Sequence, residues 1–84
     1  MKTINALVST AHEMDARRIA LLVQKACGFD SEIRIRCEER KMNAKSLMGV
    51  ITLGLMSGRE VEITASGEDE EQAAAGIAAF LQED

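Results

Sequence analysis

The run Glu32-Ile33-Arg34-Ile35-Arg36-Cys37 sets charged and apolar side chains in strict alternation. Successive side chains of a strand point to opposite faces, so this period of two calls for a strand with one face buried and one in water. Two other stretches carry the same pattern. Ile4, Ala6 and Val8 alternate with Thr3, Asn5 and Leu7, and Val61, Ile63 and Ala65 alternate with Glu60, Glu62 and Thr64. A fourth, weaker strand is predicted over 40–44 with Met42 facing inward. Glu38 and Glu39 then form the connecting turn, without the Asn-Gly chemistry usual in tight hairpins.

Between the strands the period changes to that of a helix. Ile19, Leu22, Val23 and Ala26 follow the i, i+3, i+4, i+7 rule, which leaves Arg17, Arg18, Gln24 and Lys25 largely for solvent. Asp15 stands where an N-cap accepts a bond from the first free N–H groups, and Gly28 can end the helix in a left-handed conformation. A last helix over 70–82 puts Ala73, Ile77, Phe80 and Leu81 on one face. Asp69 is its expected N-cap, with Gln72 completing a near capping box. A short helix over 47–53 is capped by Ser46 and closed by Gly54. The order β-α-β-β-α-β-α predicts an α+β domain: an antiparallel or mixed sheet covered on one face by helices.

The 84 residues leave room for one domain, 1–84, and one core. Phe29 and Phe80 are the only aromatics, so Ile, Leu, Val, Met and Ala must build that core. A core of this size supplies a margin on the order of 3–5 kcal/mol. No apolar run reaches spanning length. The apolar stretch near the N-terminus is short and broken by Asn5, which argues against a signal peptide and for the cytoplasm. Cys27 and Cys37 have neither metal spacing nor a CxxC arrangement and read as buried or half-buried free thiols, with a disulfide the lesser alternative. The net charge is −4, with Lys and Arg spread among acidic residues. Nucleic acid binding would call for a basic patch and stacking aromatics, and neither is evident.

Several segments, in order and spacing, resemble the HPr family of bacterial phosphotransfer proteins. They are Gly28-Phe29 before Ser31-Glu32-Ile33, Asn43-Ala44-Lys45-Ser46-Leu47-Met48-Gly49-Val50, Thr52-Leu53-Gly54-Leu55, Gly58 before the last strand, and Gly67-Glu68-Asp69-Glu70 before the last helix. The resemblance implies an open-faced β-sandwich: a four-stranded antiparallel sheet with three helices on one face. The family's carriers take a phosphoryl group from enzyme I onto a histidine and pass it to sugar-specific acceptor domains of the sugar phosphotransferase system. That histidine lies at the entrance to the first helix in a Gly-Leu-His-Thr/Ala-Arg-Pro-like motif. The matching stretch here is Glu13-Met14-Asp15-Ala16-Arg17-Arg18, so Asp15 replaces the histidine, Arg17 is kept and Arg18 replaces the proline.

Three readings of Asp15 follow. As a helix cap paired with Arg17 and Arg18 it is structural. As a phospho-acceptor it would form an acyl phosphate. As a mimic of a phosphorylated site it is poor, with a single charge against about −1.5 to −2 for a phosphate. His12, the only histidine, is expected to be an ordinary exposed side chain rather than a displaced acceptor. Ser46 is the stronger candidate. A serine N-cap that is phosphorylated sets a dianion at the positive end of a helix dipole, favourable by about 0.3–1 kcal/mol. Leu47, Met48 and Ile51 are expected to be exposed beside it as a docking patch, with Val50 and Leu53 in the core.

The resemblance to the family's histidine-lacking branch, catabolite repression HPr, implies two partners. HPr kinase/phosphorylase would modify Ser46, and a catabolite control protein A-like regulator would bind the product, with Arg17 at the interface. The chain is then not an enzyme and needs no cofactor or metal. The alternative is an atypical phosphocarrier served by enzyme I and using Asp15 or His12.

Overall fold

The computed structural model describes residues 1–9, 15–55 and 58–82. The elements are β1 (Lys2–Leu7), α1 (Ala16–Cys27), β2 (Glu32–Cys37), β3 (Arg40–Asn43), α2 (Leu47–Leu53), β4 (Glu60–Ser66) and α3 (Glu70–Leu81). The four strands form one sheet in the order β1-β4-β2-β3, and every neighbouring pair is antiparallel.

The register carries the alternation across the sheet. Ile4 lies opposite Ile63, Ile63 opposite Ile35, and Ile35 opposite Met42, an apolar row through all four strands. Ala6 with Val61, and Ala65 with Ile33, extend the same face. On the other face Asn5, Glu62, Arg36 and Lys41 line up in a polar row. A one-residue slip would exchange the two faces, so burial of one of them fixes the pairing.

The helices cover the apolar face. Ile19, Leu22 and Ala26 of α1, Val50 and Leu53 of α2, and Ala73, Ala74, Ile77, Ala78 and Leu81 of α3 are buried there. Small residues on α3 let the helix lie close to the sheet. Gly76 has a specific reason to be glycine, because a Cβ there would sit 3.0 Å from the Phe29 ring. Phe80 is half-buried rather than part of the buried face, and the Arg18 guanidinium lies 4.7 Å from its ring centroid. Arg18 is therefore half-buried, contrary to its expected place in solvent. Its stem and planar head can cover an aromatic surface that the short core leaves open.

Two expected caps are corrected. Gly28 is right-handed, at φ −77° and ψ −9°. The end of α1 closes through tight bonds, Gly28 N–H to the Lys25 carbonyl at 3.1 Å and Phe29 N–H to the Ala26 carbonyl at 3.2 Å, so no left-handed residue is needed. Asp69 makes no side-chain bond to its own helix, so the capping box with Gln72 does not form. Its carboxylate turns instead to the loop after α1. It accepts the Asp30 and Ser31 main-chain N–H groups, each at 2.9 Å, and the hydroxyl of fully buried Ser31. Gly67 lies against this clamp, where a Cβ would come within 2.7 Å of Ser31. At the start of α3, Glu70 accepts the Gly67 N–H at 3.3 Å and pairs with the N-terminal ammonium at 2.7 Å. The Ser31 hydroxyl, then the Asp30 N–H, hold the Asp69 carboxyl below its ordinary range, and the ammonium and the Gly67 N–H do the same for Glu70.

The end of α2 is as expected. Gly54 ends α2 in the left-handed region at φ 65°. Both cysteines are free thiols, but only Cys37 is buried as expected; Cys27 is exposed, because the last residue of α1 falls off its buried stripe of Ile19, Leu22 and Ala26. Among the described residues no helix is long and apolar enough to cross a membrane.

Candidate functional site: two helix heads

The heads of α1 and α2 hold the residues that the sequence singles out, on two helices that pack against each other. Asp15 is in extended conformation just before α1, and its Oδ1 accepts the Arg18 N–H at 2.9 Å. Its carbonyl accepts the Ile19 N–H at 2.9 Å, which starts the helical ladder. Asp15 is thus the N-cap expected, but the cap rests on main-chain N–H groups. Among the described residues no ion pair joins Asp15 to Arg17, and the Arg18 guanidinium lies over Phe80. Asp15, Arg17, Arg18 and Leu21 line a shallow hollow at this end of α1. His12 lies outside the described residues.

The head of α2 is built by a turn. Asn43 accepts twice, its Oδ1 from the Lys45 N–H at 2.9 Å and its carbonyl from the Ser46 N–H at 3.0 Å. The side-chain amide thereby copies a backbone turn. Ser46 follows in extended conformation, and its Oγ accepts the Gly49 N–H at 3.2 Å. Its carbonyl accepts the Val50 N–H at 3.0 Å. Lys45 reaches across to donate from Nζ to the Phe29 carbonyl at 2.7 Å. At the opposite end of α2, the Arg40 guanidinium donates to the Thr52 carbonyl at 2.8 Å, a cation where the helix dipole is negative.

The two faces of α2 divide as the sequence requires. Val50 and Leu53 are buried, whereas Leu47, Met48 and Ile51 are 44%, 75% and 47% exposed. Leu21 of α1 is a further exposed apolar residue, at 42%, which the sequence reading passed over. Its signal was available: Leu21 falls off the stripe of Ile19, Leu22, Val23 and Ala26, a large apolar side chain on the polar side of its helix. Among the described residues no cluster of acidic, His and Cys side chains is arranged to hold a metal ion.

A four-stranded antiparallel sheet under three helices thus carries, at the head of α2, a capped serine beside an exposed apolar patch. The family model for the PTS HPr component phosphorylation site matches residues 2–83. The HPr-like protein Crh of Bacillus subtilis is 42% identical over 71 residues, which cover 84% of each chain. The phosphocarrier protein HPr of Lysinibacillus sphaericus is 40% identical over 83 residues, covering 99% of this chain and 94% of that one. The crystal structure of a phosphocarrier protein HPr from Bacillus anthracis superposes with a TM-score of 0.89 at 35% identity, covering 94% of both chains. The chain belongs to the HPr family. It is an HPr-like protein with the family's α+β fold, and that family consists of phosphocarriers and adaptors rather than catalysts.

Proposed function

We propose that this chain, as one domain over 1–84, is a cytoplasmic regulatory adaptor whose switch is Ser46. HPr kinase/phosphorylase transfers a phosphoryl group to the Ser46 hydroxyl, and the phosphorylated chain binds a catabolite control protein A-like regulator. Leu47, Met48 and Ile51 are the docking patch, and Arg17 on the adjoining helix meets acidic groups of the partner. The observation that carries this reading is one of placement. The Ser46 hydroxyl, which accepts the Gly49 N–H at a long 3.2 Å, stands before three apolar side chains that the core does not use. Clustered apolar exposure of this kind marks a docking surface. Asp15 supports the reading from the other helix, since its carboxylate occupies the head of α1 as a cap and offers no imidazole for reversible transfer. Incubation with HPr kinase and ATP should add one phosphate, and Ser46→Ala should abolish it. Unchanged labelling of that variant would sink the assignment.

A second reading has one observation in its favour: Asp15 is exposed in an open hollow beside Arg17, where a phosphoryl donor could reach it. In that case the chain is an atypical phosphocarrier, with Asp15 or His12 as acceptor, enzyme I as donor and sugar-specific domains as recipients. Incubation with enzyme I and phosphoenolpyruvate separates the two. A hydroxylamine-sensitive adduct assigns Asp15, an acid-labile one assigns His12, and no adduct leaves the adaptor.

A further inference from the structure

The Ser46 turn is tied to the body of the protein by a side chain that the proposed switch has not used. Lys45 precedes Ser46, is half-buried, and donates its ammonium to the Phe29 carbonyl at 2.7 Å. That carbonyl sits in a corner with little freedom. The Phe29 ring lies against Gly76 of α3, and the next two N–H groups, of Asp30 and Ser31, are both held by Asp69. The other side of the turn is tied to β2, because the Ala44 N–H donates to the Ile33 carbonyl at 2.9 Å. A charged donor to a carbonyl is among the stronger protein hydrogen bonds. Here it crosses sixteen residues of chain.

We propose that Lys45 is a positioning residue for phosphoryl transfer to Ser46, a role that rests on the reading of Ser46 as the phosphorylated serine. The ammonium does not recognise the kinase. It spends its charge on the Phe29 carbonyl and thereby fixes the Asn43–Ser46 turn relative to α1. Partners that dock on Leu47, Met48 and Ile51 then find the Ser46 hydroxyl at a fixed offset from the patch. Misplacement of a reacting hydroxyl by about 1 Å can cost on the order of a hundredfold in rate. Gly49 contributes on the other side of the hydroxyl. A Cβ there would lie 3.4 Å from Ser46 Oγ and 3.3 Å from Met42 Cβ, so the missing side chain leaves the hydroxyl its space.

The test is steady-state phosphorylation by HPr kinase of the full chain, of Lys45→Met and of Lys45→Arg, well below the melting temperature of each. The expected result for Lys45→Met is a kcat about tenfold lower with KM within twofold, because the docking patch is intact while the hydroxyl is not held. Lys45→Arg, which can still donate to the Phe29 carbonyl, should recover most of the lost kcat. A Lys45→Met kcat within twofold of the parent overturns the inference. A loss that falls on KM alone also overturns it, because the lysine would then be a recognition contact for the kinase. Failure of Lys45→Arg to recover kcat when Lys45→Met has lost it does the same. If the parent chain takes no phosphate on Ser46, the reading of the serine falls and this inference falls with it. If the parent is phosphorylated and Lys45→Met behaves like it, only this inference falls.

Discussion

The heads of α1 and α2 are built on the same plan and end in different chemistry. Each begins with an extended residue whose side-chain oxygen accepts the N–H three residues on, Asp15 from Arg18 at 2.9 Å and Ser46 from Gly49 at 3.2 Å. At α1 the cap is already an anion, so the positive end of the helix has its counter-charge built in. At α2 the cap is a neutral hydroxyl, with a weaker bond and an exposed apolar patch beside it. The head of α3 supplies the contrast that explains both. Asp69 stands at the same kind of position but spends its carboxylate on the loop before β2. A cap position therefore specifies a role only after the rest of the fold has decided what else lies within reach. Among the three, the α2 head alone sets a capping hydroxyl beside exposed Leu47, Met48 and Ile51.

The largest effect should come from the patch that distinguishes α2. The double variant Met48→Ser with Ile51→Ser should weaken binding of the Ser46-phosphorylated chain to its regulator about a hundredfold, or roughly 2.7 kcal/mol. The same pair should move folding stability by no more than about 1 kcal/mol, as Met48 is 75% and Ile51 47% exposed and neither belongs to the core. Titration calorimetry beside chemical denaturation checks the two halves. A loss of stability that matches the loss of binding would place these residues in the core and remove the contrast.

Next comes the α3 head. Asp69→Asn should lower the melting temperature more than any substitution at Asp15, because it weakens the bonds that satisfy buried Ser31. The pH dependence follows from sign. The folded carboxyls of Asp69 and Glu70 lie below their ordinary range, so the unfolded chain binds more protons in acid. Their contribution is fully present above the unfolded value of about 4 and fades as the pH falls through the folded one. Thermal melts between neutral pH and pH 3 should show a steeper acid loss in the parent than in Asp69→Asn.

Smaller still is the α1 cap. Asp15→Ala should cost about 1 kcal/mol of stability, the usual value of an N-cap, and should leave phosphorylation of Ser46 unchanged. A fall in phosphate incorporation would join the two heads into one site. The least effect is expected at the β2–β3 turn, where Glu38 has φ 58° without being glycine. Asparagine tolerates that region better, so Glu38→Asn should gain at most about 0.5 kcal/mol, read as a small rise in denaturation midpoint. Arg59 ion-pairs with Glu38 and would lose that partner, which limits the gain.

Much of this was legible in local pattern. The alternation through 32–37 fixed both the strand and its buried face, and the period of α2 separated Val50 and Leu53 from Leu47, Met48 and Ile51. Asp15, Ser46 and Gly54 behave as local rules for helix ends require. What was not legible depends on distant chain. Asp69 binds Ser31, thirty-eight residues away, Lys45 reaches Phe29, and Arg18 covers Phe80. No spacing rule within one helix announces such partners, because they exist only once the sheet has brought the loops together. Gly28 is a different failure. A glycine after a helix permits a left-handed end without requiring one, and short-range bonds closed α1 first.

The central claim is that the α2 head is the switch and the α1 head is not. Intact-mass analysis with peptide mapping, after incubation of the chain with HPr kinase and ATP, tests it most directly alongside Ser46→Ala and Asp15→Asn. One phosphate on the parent and on Asp15→Asn, and none on Ser46→Ala, is the predicted result. Phosphate that persists in Ser46→Ala, or that disappears in Asp15→Asn, would contradict it.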